Sequence, residues 1–360
     1  MNILYLSHLR GESYAGPTYS VPNQIAAQSK LDNVFWYNAI HNSIEEWKKL
    51  DYYHDLNEYP DESIIRLPKP FNSPDIIVIE LFYNMVKSNF LKELINTEIP
   101  YVIIPRGELT FKAQKRKALK KTIANILVCK KYARKAAAIQ YLTEQEYMDS
   151  GNSWNENYFI IPNGINIPNI TKTSFTKKGI KCISIGRIEP YQKGIDLLIK
   201  ACEDIKKELI KAHCQITICG PDKENKVKEL RQDVKDRGLS DIISFRDGIY
   251  GKEKEKLLLD SDVFLITSRF EGHPMALIEA LSYGLPCVVT KGSNMKTEID
   301  KHNAGWTADN DEESIKNALK KMISEKDCFA DKGECAVVLS KKYAWDFLAD
   351  RSHNAFKGIL

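Results

Sequence analysis

At 360 residues the chain is too long for one ordinary hydrophobic core, so two globular units are expected. Apolar residues make up 43% and charged residues 28%, which excludes a disordered or fibrous chain. The net charge of +4 hides one asymmetry, the basic run from Lys112 to Lys135, which contains no acid.

The amino terminus, Met1 to Ser7, has no basic leader, and its apolar run is too short for a signal peptide or a membrane span. The eight cysteines include no C-x-x-C pair and several lie in apolar runs, so they read as small buried hydrophobes in a reducing compartment. A cytoplasmic location is expected.

Short β-branched and aromatic runs alternate with stretches of helical spacing, the pattern of α/β units on parallel sheets. The first half offers Ile3–Leu6, Val34–Tyr37, Ile76–Ile79, Tyr101–Ile104, Ala138–Leu142 and Tyr158–Ile161 as strands. The loop after the first strand, His8 to Thr18, leads into a helix near Pro17, where Gly16 permits close approach of a ligand. Its G-x4-G spacing resembles a P-loop, but Pro17 stands where lysine is needed, which excludes an NTPase of that type. A second candidate loop, Pro105-Arg106-Gly107-Glu108, follows the strand Tyr101–Ile104.

The run Lys112 to Lys135 carries Phe111, Leu119, Ile123, Ile126, Leu127 and Val128 at or beside it. It is either a helix with solvated lysines or a peripheral contact with the anionic inner face of the plasma membrane. No nucleic-acid reading motif accompanies the charge.

A break at Ile161 to Pro168 and the polar stretch Lys172 to Gly179 mark the natural linker. Domains are expected at 1–163 and 164–343, with the helix 344–360 packing back on the first. The second half offers Cys182–Ile185, Ile216–Cys219, Ile242–Phe245, Val263–Thr267 and Cys287–Thr290 as strands. Ile195, Leu198, Ile199, Cys202, Ile205 and Leu209 share one helical face. Ligands of open α/β sheets bind beyond the carboxyl ends of the strands, so functional residues are sought there.

After Cys182–Ile185 come Gly186, Arg187, Lys193 and Gly194, a tight turn bearing two cations that can meet a diphosphate without a metal. After Val263–Thr267 comes Ser268 to Ala280, with Glu271, Gly272, His273, Pro274, Met275, Ala276 and Glu279. A helix starting near Pro274 would present unpaired amides around Met275 and Ala276 to phosphate oxygens. Glu279 then lies roughly 6 Å along the axis, the reach from a β-phosphate to ribose hydroxyls, and Glu271 falls on the sugar side. Taken singly, Arg187 and Lys193 read as solvated loop charges, Glu271 as a solvated loop residue and Glu279 as one member of a surface ion pair.

Gly186-Arg187 with Lys193-Gly194, Cys219-Gly220-Pro221, Phe245-Arg246-Asp247-Gly248-Ile249 and Glu271 to Glu279 have the order and spacing of the nucleotide-binding domain of family 4 glycosyltransferases, which the chain resembles over about Ile160 to Trp306. The resemblance implies a GT-B fold: two Rossmann-like parallel-sheet domains facing across a cleft, with a C-terminal helix crossing back to the first. It implies retaining, metal-independent transfer from a nucleotide-diphosphate sugar, with UDP the family-level choice, to a glycan or lipid-linked acceptor in surface polysaccharide assembly. Arg187 and Lys193 would hold the diphosphate, Glu271 the sugar and Glu279 the ribose. Backbone near Gly248-Ile249 would meet the base and Gly220-Pro221 would line its pocket. Gly16 resembles the family's glycine loop. Where many relatives have a histidine near the transferred sugar this chain has Arg106, which stabilises negative charge but is no base, leaving Glu108 as the ionisable alternative. No cofactor is implied.

An epimerase or phosphorylase of the same fold and a non-catalytic nucleotide-sugar-binding subunit stay open. A dinucleotide oxidoreductase is disfavoured because no G-x-G-x-x-G follows a strand. Tyr343 to Asp346 opens the last helix, with Trp345 and Phe347 expected to supply its packing surface.

Overall fold

The computed structural model describes residues 1–360 other than 13–15, 42, 116–127, 152 and 223–224. Contacts divide the chain into one unit of Met1–Gly164 with Trp345–Leu360 and another of Ile165–Ala344.

The first unit is built on β1 (Asn2–Ser7), β2 (Asn33–Asn38), β3 (Tyr53–Asp55), β4 (Ile76–Glu80), β5 (Tyr101–Ile104), β6 (Ala138–Tyr141) and β7 (Tyr158–Ile160). Its sheet has the order β3-β2-β1-β4-β5-β6-β7, with all pairs parallel. The second is built on β8 (Ile180–Ile185), β9 (Cys214–Cys219), β10 (Ile243–Arg246), β11 (Val263–Ile266), β12 (Cys287–Thr290) and β13 (Gly305–Ala308). Its order is β10-β9-β8-β11-β12-β13, again parallel throughout.

The strands are apolar at nearly every position because each sheet is covered on both faces. Leu4, Leu6, Ile77 and Ile79 join one core while Ile3, Tyr5, Ile76 and Val78 join another across the sheet. In the second unit Ile216, Ile218, Val263 and Leu265 oppose Ile183, Phe264 and Ile266 in the same way. In both sheets the strand order reverses beside the first strand of the unit, and that reversal opens a crevice at the carboxyl edge.

The predicted face from Ile195 to Leu209 is buried as expected, but the helix breaks at Ile205 into Ile195–Asp204 and Lys206–Lys211. The last helix, Trp345–Lys357, packs Trp345, Leu348 and Ala349 on Ala27 and Ile161, and Phe356 enters the core beside β1. Phe347, expected on that face, is exposed because the buried face follows 345, 348, 349, 352 and 356, and position 347 turns outward. Gly164 is required here: a Cβ would lie 2.5 Å from the Trp345 ring.

The polar stretch after the break is packed rather than free. Buried Asp262 accepts from Thr176 N and Lys181 N at 2.9 Å each, and Lys172 Nζ lies 3.5 Å from its carboxylate. Six cysteines are buried, but Cys328 is exposed and Cys335 half-buried, so the expectation for the cysteines fails at those two. Among the described residues no helix is long and apolar enough to cross a membrane. Residues 116–127 of the basic run lie outside the described residues. Beyond them the helix Lys130–Lys135 buries Tyr132 and Ala133 and leaves Lys130, Lys131, Arg134 and Lys135 exposed.

Candidate active site

The reversal in the second sheet lies between β8 and β11, and the loops leaving these two strands carry most of the predicted residues. They are locked together through backbone. Gly194 adopts φ +62, and a Cβ there would meet Thr267 O at 2.0 Å. Thr267 Oγ1 donates to the Lys193 and Gly194 carbonyls at 3.1 Å each. Arg269 chelates Asp196 with two bonds of 2.7 Å and stacks on Tyr191 at 4.4 Å, so its guanidinium pKa is raised by the carboxylate it holds. The loop after β9 joins them: Gly186 N donates to Cys219 O at 2.9 Å, and a Cβ on Gly220 would fall 1.6 Å from Gly186 O.

This frame holds Lys193 against Glu271. Lys193 Nζ donates to Glu271 Oε1 at 2.6 Å, Ser268 Oγ donates to the same oxygen at 2.6 Å, and Asn294 holds the Glu271 carbonyl at 2.6 Å. Glu271 Oε2 has no partner among the described residues. Lys193 also packs on Gly186, where a Cβ would meet its Cε at 3.3 Å. Arg187 stays at the surface, 57% exposed, with Glu189 3.7 Å away.

The helix Met275–Ser282 starts one residue after the expected proline, with Pro274 as its N-cap residue. The Met275 amide donates to His273 O at 3.0 Å, so it is already occupied, contrary to expectation. The amides of Gly272, His273 and Ala276 have no partner among the described residues, so an anion receptor remains, shifted toward the loop. Gly272 faces open space. Glu279, one turn along, is chelated by Lys254 Nζ at 2.9 and 2.8 Å.

Gly248 lies beside Pro221, whose Cδ would be 3.4 Å from a Cβ at 248, and Ile249 is buried in the core. Only its backbone can face a ligand. Gly248 and Ile249 border a concavity of about 350 Å³ with Arg231 and Arg246. A larger one of about 720 Å³ lies at the amino ends of β8 and β9 among Lys177, Lys211 and Lys320, and none of the predicted residues lines it.

Gly16 and Arg106 belong to the first unit. Gly16 is the N-cap of the helix Pro17–Gln28, at φ −51, with open space around it. Arg106 was expected to act on the reacting sugar; within its own unit its side chain is held by four neighbours. Its side chain is 3% exposed, and its guanidinium donates to Glu80 (2.7 Å), Ser20 (3.1 Å), Asn163 (2.6 Å) and Gln24 (2.8 Å). These four bonds use four of its five N–H donors, and its backbone adopts φ +49, so Arg106 serves as a structural clamp within the first unit. Glu108 is committed likewise, accepting from the Phe82 and Tyr83 amides at 2.5 and 3.0 Å. Glu146, whose pKa burial raises, accepts from Gly107 N and from Leu142 N.

Sequence reasoning missed Ser268, Asn294 and Lys254. Ser268 sits within the motif already singled out, three residues before Glu271. Nothing local marks Lys254 or Asn294 as partners of the two glutamates. Among the described residues no group of three or more His, Cys, Asp and Glu side chains could hold a metal ion.

A sequence profile described as "Glycosyl transferases group 1" matches residues 167–334, a span that contains every predicted residue of the second unit. Over that span the chain resembles the group 1 glycosyl transferases. Its two parallel-sheet units have the GT-B fold. Sucrose-phosphate synthase from Thermosynechococcus elongatus superposes with a TM-score of 0.69 over 100% of this chain and 99% of that one, at 14% identity. Among curated proteins, the "Putative colanic acid biosynthesis glycosyltransferase WcaL" of Salmonella typhimurium is 28% identical over 160 residues, 41% of this chain and 38% of the relative. The "UDP-Gal:alpha-D-GlcNAc-diphosphoundecaprenol alpha-1,3-galactosyltransferase" of Escherichia coli is 30% identical over 186 residues, 46% and 45% of the two chains. The match thus spans less than half the length of these relatives.

Within this candidate site His273 has a separate consequence. Its Nδ1 lies 3.2 Å from Met275 Sδ, its Nε2 is buried without a partner among the described residues, and burial pushes its pKa down to about 4. The ordinary value is about 6.5, so the unfolded chain takes up the proton first as pH falls. The stability contributed by neutral His273 is complete above about pH 6.5 and is lost as pH falls toward 4. Urea unfolding is expected to show a contribution of about 2 kcal/mol lost between pH 8 and pH 5, absent in His273→Leu.

Proposed function

We propose that this chain is a retaining glycosyltransferase that moves a sugar from a nucleotide diphosphate, UDP first among candidates, to a hydroxyl of a glycan or lipid-linked acceptor in surface polysaccharide assembly. The observation that supports it most is the convergence at the β8–β11 reversal of Lys193, Glu271 and three free amides, with Glu279 one helical turn further on. An anion receptor flanked by two carboxylates suits a diphosphate with a sugar on one side and a ribose on the other. The names of WcaL and the galactosyltransferase support the polysaccharide setting and the uridine nucleotide.

In this reading the Gly272, His273 and Ala276 amides and the cations Lys193 and Arg187 hold the diphosphate. The bond from the anomeric carbon to the phosphate oxygen breaks, the acceptor oxygen bonds to that carbon from the same face, and its proton passes to the departing phosphate. Lys193 counters the charge that builds on that phosphate, and Glu271 Oε2 is available to a sugar hydroxyl. No side chain need act as base, so catalysis rests on positioning and electrostatics. The exposed cations of Lys130–Lys135 are the described part of a proposed contact with an anionic membrane surface.

Thermal stabilisation by a panel of nucleotide sugars, followed by product analysis with and without acceptor, tests the reading. Transfer with retained anomeric configuration is expected. Isomerised donor without acceptor identifies an epimerase, transfer to inorganic phosphate a phosphorylase, and binding without turnover a non-catalytic subunit. Glu279→Ala is expected to weaken donor binding by about 1.5 to 3 kcal/mol in calorimetric titration, the worth of charged hydrogen bonds to the ribose. Transfer is expected to persist undiminished in excess EDTA, because the cations supply the neutralisation that a metal would otherwise provide.

A further inference from the structure

We propose that Lys254 sets ribose recognition by competing with it: its ammonium sits on the edge of the Glu279 carboxylate that a ribose diol would use, and nucleotide binding exchanges one for the other. The inference rests on the reading of Glu279 as the ribose ligand. It starts from the near-equal distances of 2.9 and 2.8 Å from Lys254 Nζ to the two carboxylate oxygens. An ammonium so placed lies near the bisector of the carboxylate and takes the inner lone pairs of both oxygens. Two neighbouring hydroxyls that donate to both oxygens of one carboxylate require that same edge at similar distances. The two occupants exclude each other.

The other pair of the site is arranged differently. Lys193 uses one oxygen of Glu271 and leaves Oε2 without a partner, so a sugar hydroxyl can be added without loss. At Glu279 the first step must be withdrawal of Lys254. The structure permits it, since the two side chains are 27% and 34% exposed and Lys254 lies in the first turn of the helix Gly251–Asp260. A half-buried ion pair open to water on one side is weak, so the exchange costs little and is reversible. It nevertheless subtracts from the affinity of ligands that carry the diol and from no others.

The test compares dissociation constants for a nucleoside diphosphate and its 2′,3′-dideoxy analogue, using whichever of UDP, GDP or ADP binds. Losing a cation near a diphosphate weakens both ligands, and their ratio removes that shared effect. Lys254→Met is expected to raise the preference for the ribose ligand by roughly two- to fivefold, the range a water-accessible ion pair supplies. Lys254→Arg, which can chelate the carboxylate again, is expected to restore the wild-type ratio. A ratio unchanged or lowered in Lys254→Met overturns the proposal, the lower value meaning that Lys254 supports the ribose contact. Glu279→Ala tests the underlying reading independently. It should bring the ratio close to one, and an unaltered ratio there removes the ribose role of Glu279 and the exchange with it.

Discussion

Lys193→Ala is expected to lower turnover about 100- to 1,000-fold at saturating donor, the loss seen when one preorganised donor to a developing anion is removed. Its backbone is tied to the Glu189 carbonyl at 2.8 Å, its side chain lies along Gly186, and that side chain is 21% exposed. A cation held in place in a partly dehydrated site acts on new charge without rearranging, and it acts more strongly than in bulk water. In the proposed reaction the pairing with Glu271 would keep it in place before charge develops on the phosphate. Arg187, 57% exposed and only loosely paired, should cost less when removed. Measured kcat and KM separate the possibilities: a rise in KM alone would mean uniform binding, and an unchanged kcat would exclude Lys193 from stabilising the leaving group.

Arg106→Ala is expected to cost about 3 to 5 kcal/mol of unfolding free energy, because it leaves the Glu80 carboxylate charged and unpaired in the interior. Glu80 has a side-chain exposure of 0%, and its Oε1 already lacks a partner among the described residues. The same change also strips a partner from Ser20, Gln24 and Asn163, which tie the helix Pro17–Gln28 and the end of the unit to the loop after β5. Replacing both members, as Arg106→Met with Glu80→Leu, should recover most of the loss, since no buried charge is then stranded. Chemical denaturation of the single and double variants measures both quantities. A single variant of normal stability that nevertheless failed to turn over would return Arg106 to the chemistry.

Much of the fold was legible because both sheets are buried on two faces, which writes each central strand as an apolar run. Ile76–Glu80, Tyr101–Ile104 and Cys287–Thr290 begin where their runs begin. The edge strands β3 and β13 were not legible: Tyr53-His54-Asp55 and Gly305-Trp306-Thr307-Ala308 are too short and mixed to stand out from loops, and they become strands only by pairing with β2 and β12. The start of the helix at Met275 was legible from Pro274, because proline at a helix start is a local backbone preference. The occupied Met275 amide was not, since it depends on the turn at His273.

Contiguous residues therefore determined the α/β alternation, the placing of Gly186, Lys193, Glu271 and Glu279 beyond strand ends, and the family that those motifs resemble. These follow from backbone preference and spacing along one stretch of chain. The tertiary structure alone decided which charges meet. Lys193 reaches Glu271 across 78 residues, Lys254 reaches Glu279 across 25, and Arg106 is surrounded by partners from 26 to 86 residues away. Such pairings depend on the order of strands in the sheet and on which loops it brings side by side, and no local property of an arginine distinguishes a clamp from a catalyst.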